Sequence, residues 1–113
     1  MTSLLVSLWL LSAAPEPPRR AVLVGSNAAI EGRSPLRFAH RDARSLAEVL
    51  TSSGGFADQD VVVLLDATPA QVLGALDQAR TALAAQRQEG LLVFYYSGHA
   101  DQRALFPAGP FSQ

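Results

Sequence analysis

Cysteine is absent from the 113 residues. Its absence excludes a disulfide scaffold, a CxxC zinc site and, on this chain, a cysteine nucleophile. Lysine is missing too. All nine basic residues are arginine, set against ten acidic ones for a net charge of -1, which does not indicate a dedicated nucleic-acid binder. Six of the arginines fall between Arg19 and Arg44, and the stretch from Ser45 to Gln113 is mildly acidic. That imbalance is what a solvated surface shows. Eight glycines and seven prolines are too few for a low-complexity chain. No block of like charge argues for wholesale disorder. No apolar run is long enough to span a bilayer as a helix. Neither GxGxxG after a strand nor GxxxxGK[ST] occurs, and no acidic cluster has calcium-ligand spacing.

What is present suits one modest domain: 49% of the residues are hydrophobic and 17% charged. Near the N-terminus, Leu4 to Leu11 is a short apolar run followed by Ser12-Ala13-Ala14. Its length and the small residues after it fit a signal peptide over 1–14, hence export to the periplasm or the extracellular space. The competing reading is an extra apolar segment of a cytoplasmic protein. Pro15-Glu16-Pro17-Pro18 then reads as a stiff linker, 15–19, into a domain over 20–113.

Within that domain, Ala21 to Val24, ending at Gly25, has the continuous apolar character of a strand buried on both faces. A long connection runs from Ser26 to about Arg41. Asp42 then starts a helical pattern with Ala43, Leu46, Ala47 and Leu50 on one face, stopped by Ser52-Ser53-Gly54-Gly55. Val61 to Leu65 is a second buried strand. Thr68-Pro69-Ala70-Gln71 has the residues of a capped helix start, with Val72, Leu76, Ala79 and Leu83 as the apolar face and Gly90 as the stop. Leu91 to Tyr96 is a third strand, leading into Ser97-Gly98-His99. Strands alternating with helices predict an α/β sandwich of three layers around a mainly parallel sheet. The working face of such a sheet is the carboxyl end of its strands.

His99 falls at that end, directly after a strand and a glycine. Histidine is the side chain best suited to move protons near neutral pH. Chemistry alone leaves this reading level with that of a histidine capping a strand end.

The segment Leu92-Val93-Phe94-Tyr95-Tyr96-Ser97-Gly98-His99 resembles the histidine motif of caspase-like cysteine peptidases, the group of caspases, metacaspases and their bacterial relatives. Three upstream pieces resemble the same family in the same order. Arg20 to Gly25 is similar to its first strand, Leu36 to Ala43 to the approach to its first helix, and Gly55-Phe56 with Val61 to Thr68 to its second strand and following turn. The resemblance implies a Cys/His dyad with His99 as general base and acid, assisting formation of the attacking thiolate. It implies backbone donors for an oxyanion, one of them at Ala100, where the family has glycine; a left-handed backbone there would strain alanine. It also implies that Asp42 and Ser97 line a pocket for a basic side chain. An aspartate in that place is equally a helix N-cap, the reading favoured here, and Ser97 would otherwise bond the strand end. His40 reads as a surface residue. The substrate class is protein or peptide, and no cofactor is implied.

The family sheet has strand order 2-1-3-4-6-5, so three strands and two helices of it are expected here. Its cysteine lies about 50 residues beyond the histidine, whereas Gln113 is 14 residues beyond His99. Leu105 to Phe111 reads as loop. These features lead to the expectation of an incomplete, inactive and marginally stable peptidase domain whose third strand needs the remainder of the domain as its partner. The alternatives are a non-catalytic caspase-like interaction module or decayed peptidase, and a small phosphate-binding α/β domain, which the topology allows and no residue supports.

Overall fold

Val22, Leu23 and Val24 have no solvent-accessible surface, and the fold is built around them. The computed structural model of the protein describes residues 16–108. The export signal expected over 1–14 and the end of the tail lie outside these residues. Among the described residues, β1 (Arg19–Gly25) is followed by α1 (Ala39–Ser52), a 3₁₀ turn (Asp58–Asp60), β2 (Val61–Leu65), α2 (Pro69–Ala84) and β3 (Leu91–Ser97). Two short strands, β4 (His99–Ala100) and β5 (Leu105–Phe106), complete the set.

The sheet has the order β2-β1-β3, with β1 parallel to both neighbours. This is the expected α/β architecture and the opening 2-1-3 part of the expected 2-1-3-4-6-5 strand order. Alternation along β1 sends its side chains to two separate cores. Ala21 and Leu23 pack with Ala43, Leu46 and Leu50 of α1 and with Phe56. Val22 and Val24 pack with Val72, Leu76 and Ala79 of α2. Helix, sheet and helix therefore form three layers.

The outer strands are less buried than their apolar runs predict. Val62 is 40% exposed, Leu91 49% and Phe94 41%. Each lies on a strand with a sheet neighbour on one side only among the described residues, which leaves it less covered than the central strand.

The two helices start by different means. Thr68 caps α2: its side chain accepts from Gln71 N at 3.2 Å, and Gln71 Oε1 accepts from Thr68 N at 2.8 Å. Pro69 supplies a helical φ where no donor is needed. Thr68→Ala should lower stability by about 1 kcal/mol, measured as a shift in the urea midpoint at unchanged slope. By contrast, α1 begins at Ala39 and not at Asp42. Asp42 is exposed in the first turn and caps nothing; its own N–H already donates to Phe38 O. The capping carboxamide is that of Asn27, whose Oδ1 accepts from Ala39 N at 2.9 Å and His40 N at 3.4 Å.

The ends differ similarly. Beyond α1, Gly55 takes φ 77°, and the Arg19 guanidinium donates to the carbonyls of Gly54 and Gly55. The serine-glycine run is thus the stop it was expected to be. Helix α2 ends at Ala84, ahead of Gly90. Gly90 instead fits between the Leu83 side chain and Pro18, leaving no room for a Cβ.

Candidate functional site

The chain leaves β1 toward β2 on one side and reaches β3 on the other, so strand order reverses at β1. In open α/β sheets the crevice outside the carboxyl ends at such a reversal is where ligands bind. Three segments meet there: the loop 26–38 after β1, the turn after β2, and Ser97-Gly98-His99 at the end of β3.

Ser97 ends the β1–β3 ladder, its carbonyl accepting from Ser26 N at 2.8 Å. His99 follows two residues later, after Gly98. Its Nε2 lies 2.8 Å from the carbonyl oxygen of Ser34. A carbonyl can only accept, so Nε2 carries the hydrogen. In the neutral ring Nδ1 is then the nitrogen with a free lone pair. A backbone oxygen on the ring's far side thus sets both tautomer and orientation, the arrangement a general base needs.

The His99 backbone is fixed as well. Tyr96 Oη donates to His99 O at 2.7 Å. Burial pushes the Tyr96 phenol above its ordinary pKa, partly offset by the Phe106 backbone. A Cβ on Gly98 would stand 2.6 Å from Tyr96 Oη. Glycine is therefore required between the two so that the phenol can pass beneath the chain. Tyr96→Phe should leave the fold intact, cost about 1 kcal/mol, and shift the amide resonances of residues 98–100 selectively in a two-dimensional NMR spectrum.

The chain after His99 departs from the loop expected from its sequence. His99–Ala100 and Leu105–Phe106 pair antiparallel. The turn between them is made by Asp101, whose Oδ1 accepts from Arg103 N at 2.7 Å and Ala104 N at 2.9 Å. Those two N–H groups, with Arg33 nearby, hold the Asp101 carboxyl below its usual range. Strands of two residues are too short to show a period. Arg33 of the β1–α1 loop donates to Ala100 O at 2.9 Å and lies 5.8 Å from the centre of the Phe106 ring. Ala100 does not have a positive φ, so the alanine is not strained where the family has glycine.

Asp66, directly after β2, has φ 51°, a left-handed backbone that Asp tolerates better than most residues. Its Oδ1 accepts from Asn27 N at 2.9 Å and lies 2.9 Å from His40 Nε2. Nε2 is sealed from solvent, and the contact has the distance of an ion pair without the alignment of a hydrogen bond. His40 is accordingly no free surface residue, its side chain being 26% exposed. Burial pushes the Asp66 carboxyl up, but His40 and the N–H groups of Asn27 and Ala28 outweigh this and leave it below the usual carboxylate range.

Of the residues singled out in the sequence, Ser97, His99 and Ala100 stand together at the carboxyl end of β3. Asp42 is exposed on α1 and makes no ion pair among the described residues. Ser34, Asn27, Asp66 and Tyr96 were not singled out. Ser34 acts through its backbone, which leaves no mark in a sequence. A cleft of about 570 Å³ opens at the amino end of the sheet, between Arg19, Arg20, Asp60 and Gln86, and none of the site residues lines it. Among the described residues, no group of three acidic, histidine or cysteine side chains could hold a metal ion, and no helix is long and apolar enough to cross a membrane.

Two comparisons bear on this geometry. A family model described as the caspase domain matches residues 18–109. No curated protein matches the chain.

Proposed function

The chain belongs to the caspase-domain family, and on that premise we propose that it carries the histidine half of a Cys/His peptidase centre acting on protein or peptide substrates. One observation carries the reading: His99 Nε2 is bound to the Ser34 carbonyl at the switch point of the sheet, which leaves Nδ1 of the neutral ring as the nitrogen able to act as a base. His99 draws the proton from a thiol and returns it to the leaving amine. The Ala100 N–H is the candidate oxyanion donor on this chain. Asp42 and Ser97 are candidate pocket residues for a basic side chain, Asp42 through charge and Ser97 through its place beside His99.

No residue of the chain can serve as the thiol, because the sequence contains no cysteine. In this reading the thiol comes from polypeptide paired on the edge of β3 that has no strand partner among the described residues. The exposed Leu92 and Phe94 support that pairing, as does the apolar groove formed by Leu73, Leu76, Phe94, Leu105 and Pro107 beside them. The chain alone is then inactive. The Leu4–Leu11 run supports export through a signal peptide over 1–14. A second reading, a non-catalytic caspase-like module that binds a partner by strand addition at β3, draws on the same absent cysteine and the same edge, unpaired among the described residues. Cleavage that depends on His99, once a cysteine-bearing segment is joined to the chain, separates the two.

A further inference from the structure

The Ser34 carbonyl can orient His99 only if the loop that carries it is itself held. Between Ser26 and Phe38 that loop has no helix or extended strand. Arg33 ties it to Ala100 O, and Asn27 ties it down at several further points. Asn27 O accepts from Leu36 N at 2.8 Å, which closes the loop two residues beyond Ser34. Asn27 Oδ1 accepts from Ala39 N and His40 N, which fixes the start of α1. Asn27 N donates to Asp66 Oδ1 at 2.9 Å, which fixes Asn27 to the end of β2. Asp66 holds its left-handed turn through Asp66 N, which donates to Gly25 O at 3.0 Å.

We propose that Asn27 and Asp66 are positioning residues for His99: Asp66 anchors Asn27, Asn27 closes the loop 27–36, and the closed loop presents the Ser34 carbonyl to His99 Nε2. The proposal rests on the reading of His99 as a base and adds what holds that base in its tautomer. Neither residue reaches His99, and both act through the backbone of the loop. The lever is geometric: Asn27 lies 12 residues before the helix it caps, so losing its carboxamide releases the helix start that holds the far end of the loop, while the backbone bonds of Asn27 to Leu36 and Asp66 remain.

The test needs no thiol and uses the full chain labelled with ¹⁵N. The readout is the exchange of the His99 Nε2 proton with water, observed in the ring-nitrogen NMR spectrum. In the unaltered chain the proton is present on Nε2 and protected. Asn27→Ala should speed its exchange by about tenfold, the loss of roughly one net hydrogen bond. Asn27→Asp, which keeps the accepting oxygen, should restore protection. Thr68→Ala, which weakens the fold elsewhere, should leave the His99 proton unchanged and so separates positioning from general stability. If Asn27→Ala does not fold, Asp66→Gly carries the same expectation, since glycine keeps the left-handed backbone and removes only the carboxylate. Unchanged protection in the folded variants overturns the proposal and leaves the peptidase reading standing. An unprotonated Nε2 in the unaltered chain overturns both this proposal and the assignment of His99. Failure of the peptidase reading alone would show instead as peptide cleavage indifferent to His99, with the ring proton still protected.

Discussion

Gly25→Ala is expected to destabilise the domain by about 3 kcal/mol or more. A Cβ at this position would collide with the Ala39 carbonyl oxygen and stand 3.1 Å from Ala43 Cβ. The first of these is backbone in the opening turn of α1, which Asn27 pins in place, so it cannot swing aside as a flexible side chain would. Relief requires α1 to lift off β1, and Ala43, Leu46 and Leu50 would lose their packing on Ala21 and Leu23. Domains of this size are stable by roughly 0.05–0.15 kcal/mol per residue, so a loss of this size removes much of the margin. The urea midpoint should fall accordingly, or the variant should fail to accumulate as folded protein. Gly74→Ala is the matched control. Gly74 lies in α2, and a Cβ there meets nothing within 4 Å. That substitution should raise stability by up to about 1 kcal/mol, the propensity difference between the two residues in a helix.

The second large effect concerns chemistry. When the chain is joined to a cysteine-bearing continuation of the domain, His99→Ala should lower kcat/KM for peptide cleavage by about 10²–10⁴-fold, the usual contribution of a positioned general acid-base group. The fold should be unaffected, because His99 lies on the two-residue strand β4 outside the main sheet, and its backbone carbonyl still accepts from Tyr96. Full cleavage by the variant would remove His99 from the mechanism. In the same background, a preference for Lys or Arg that survives Asp42→Ala would remove Asp42 from the substrate pocket.

The order of strands and helices was legible because each element carries its own local signal. The apolar run Ala21–Val24 marks the central strand, and its complete burial follows from neighbours on both sides. Thr68, Pro69 and Gln71 mark a helix start within four residues, and the structure uses all three. The start of α1 is not legible for the opposite reason. Its cap comes from Asn27, so no residue next to the helix announces it, and Asp42 has the right type in the wrong place. His99 was legible through its setting after a strand and a glycine. What holds it was not, because the Ser34 carbonyl is common to every residue type and the Tyr96 hydroxyl looks like one more strand aromatic. The contact of Asp66 with His40 joins the ends of two elements that only the folded topology brings together. The partial exposure of β2 and β3 likewise depends on their places in the sheet and not on their composition.

The central claim is that His99 is one half of a Cys/His centre whose other half lies outside these 113 residues. The most direct measurement is to read the source gene past codon 113 over the length the family spacing requires, about 50 codons after His99. The account predicts an apolar strand ending in Asp-Ala-Cys, in frame or after one frameshift. A stop codon with no cysteine beyond it in any frame would contradict the account and favour a non-catalytic binding module or a decayed peptidase.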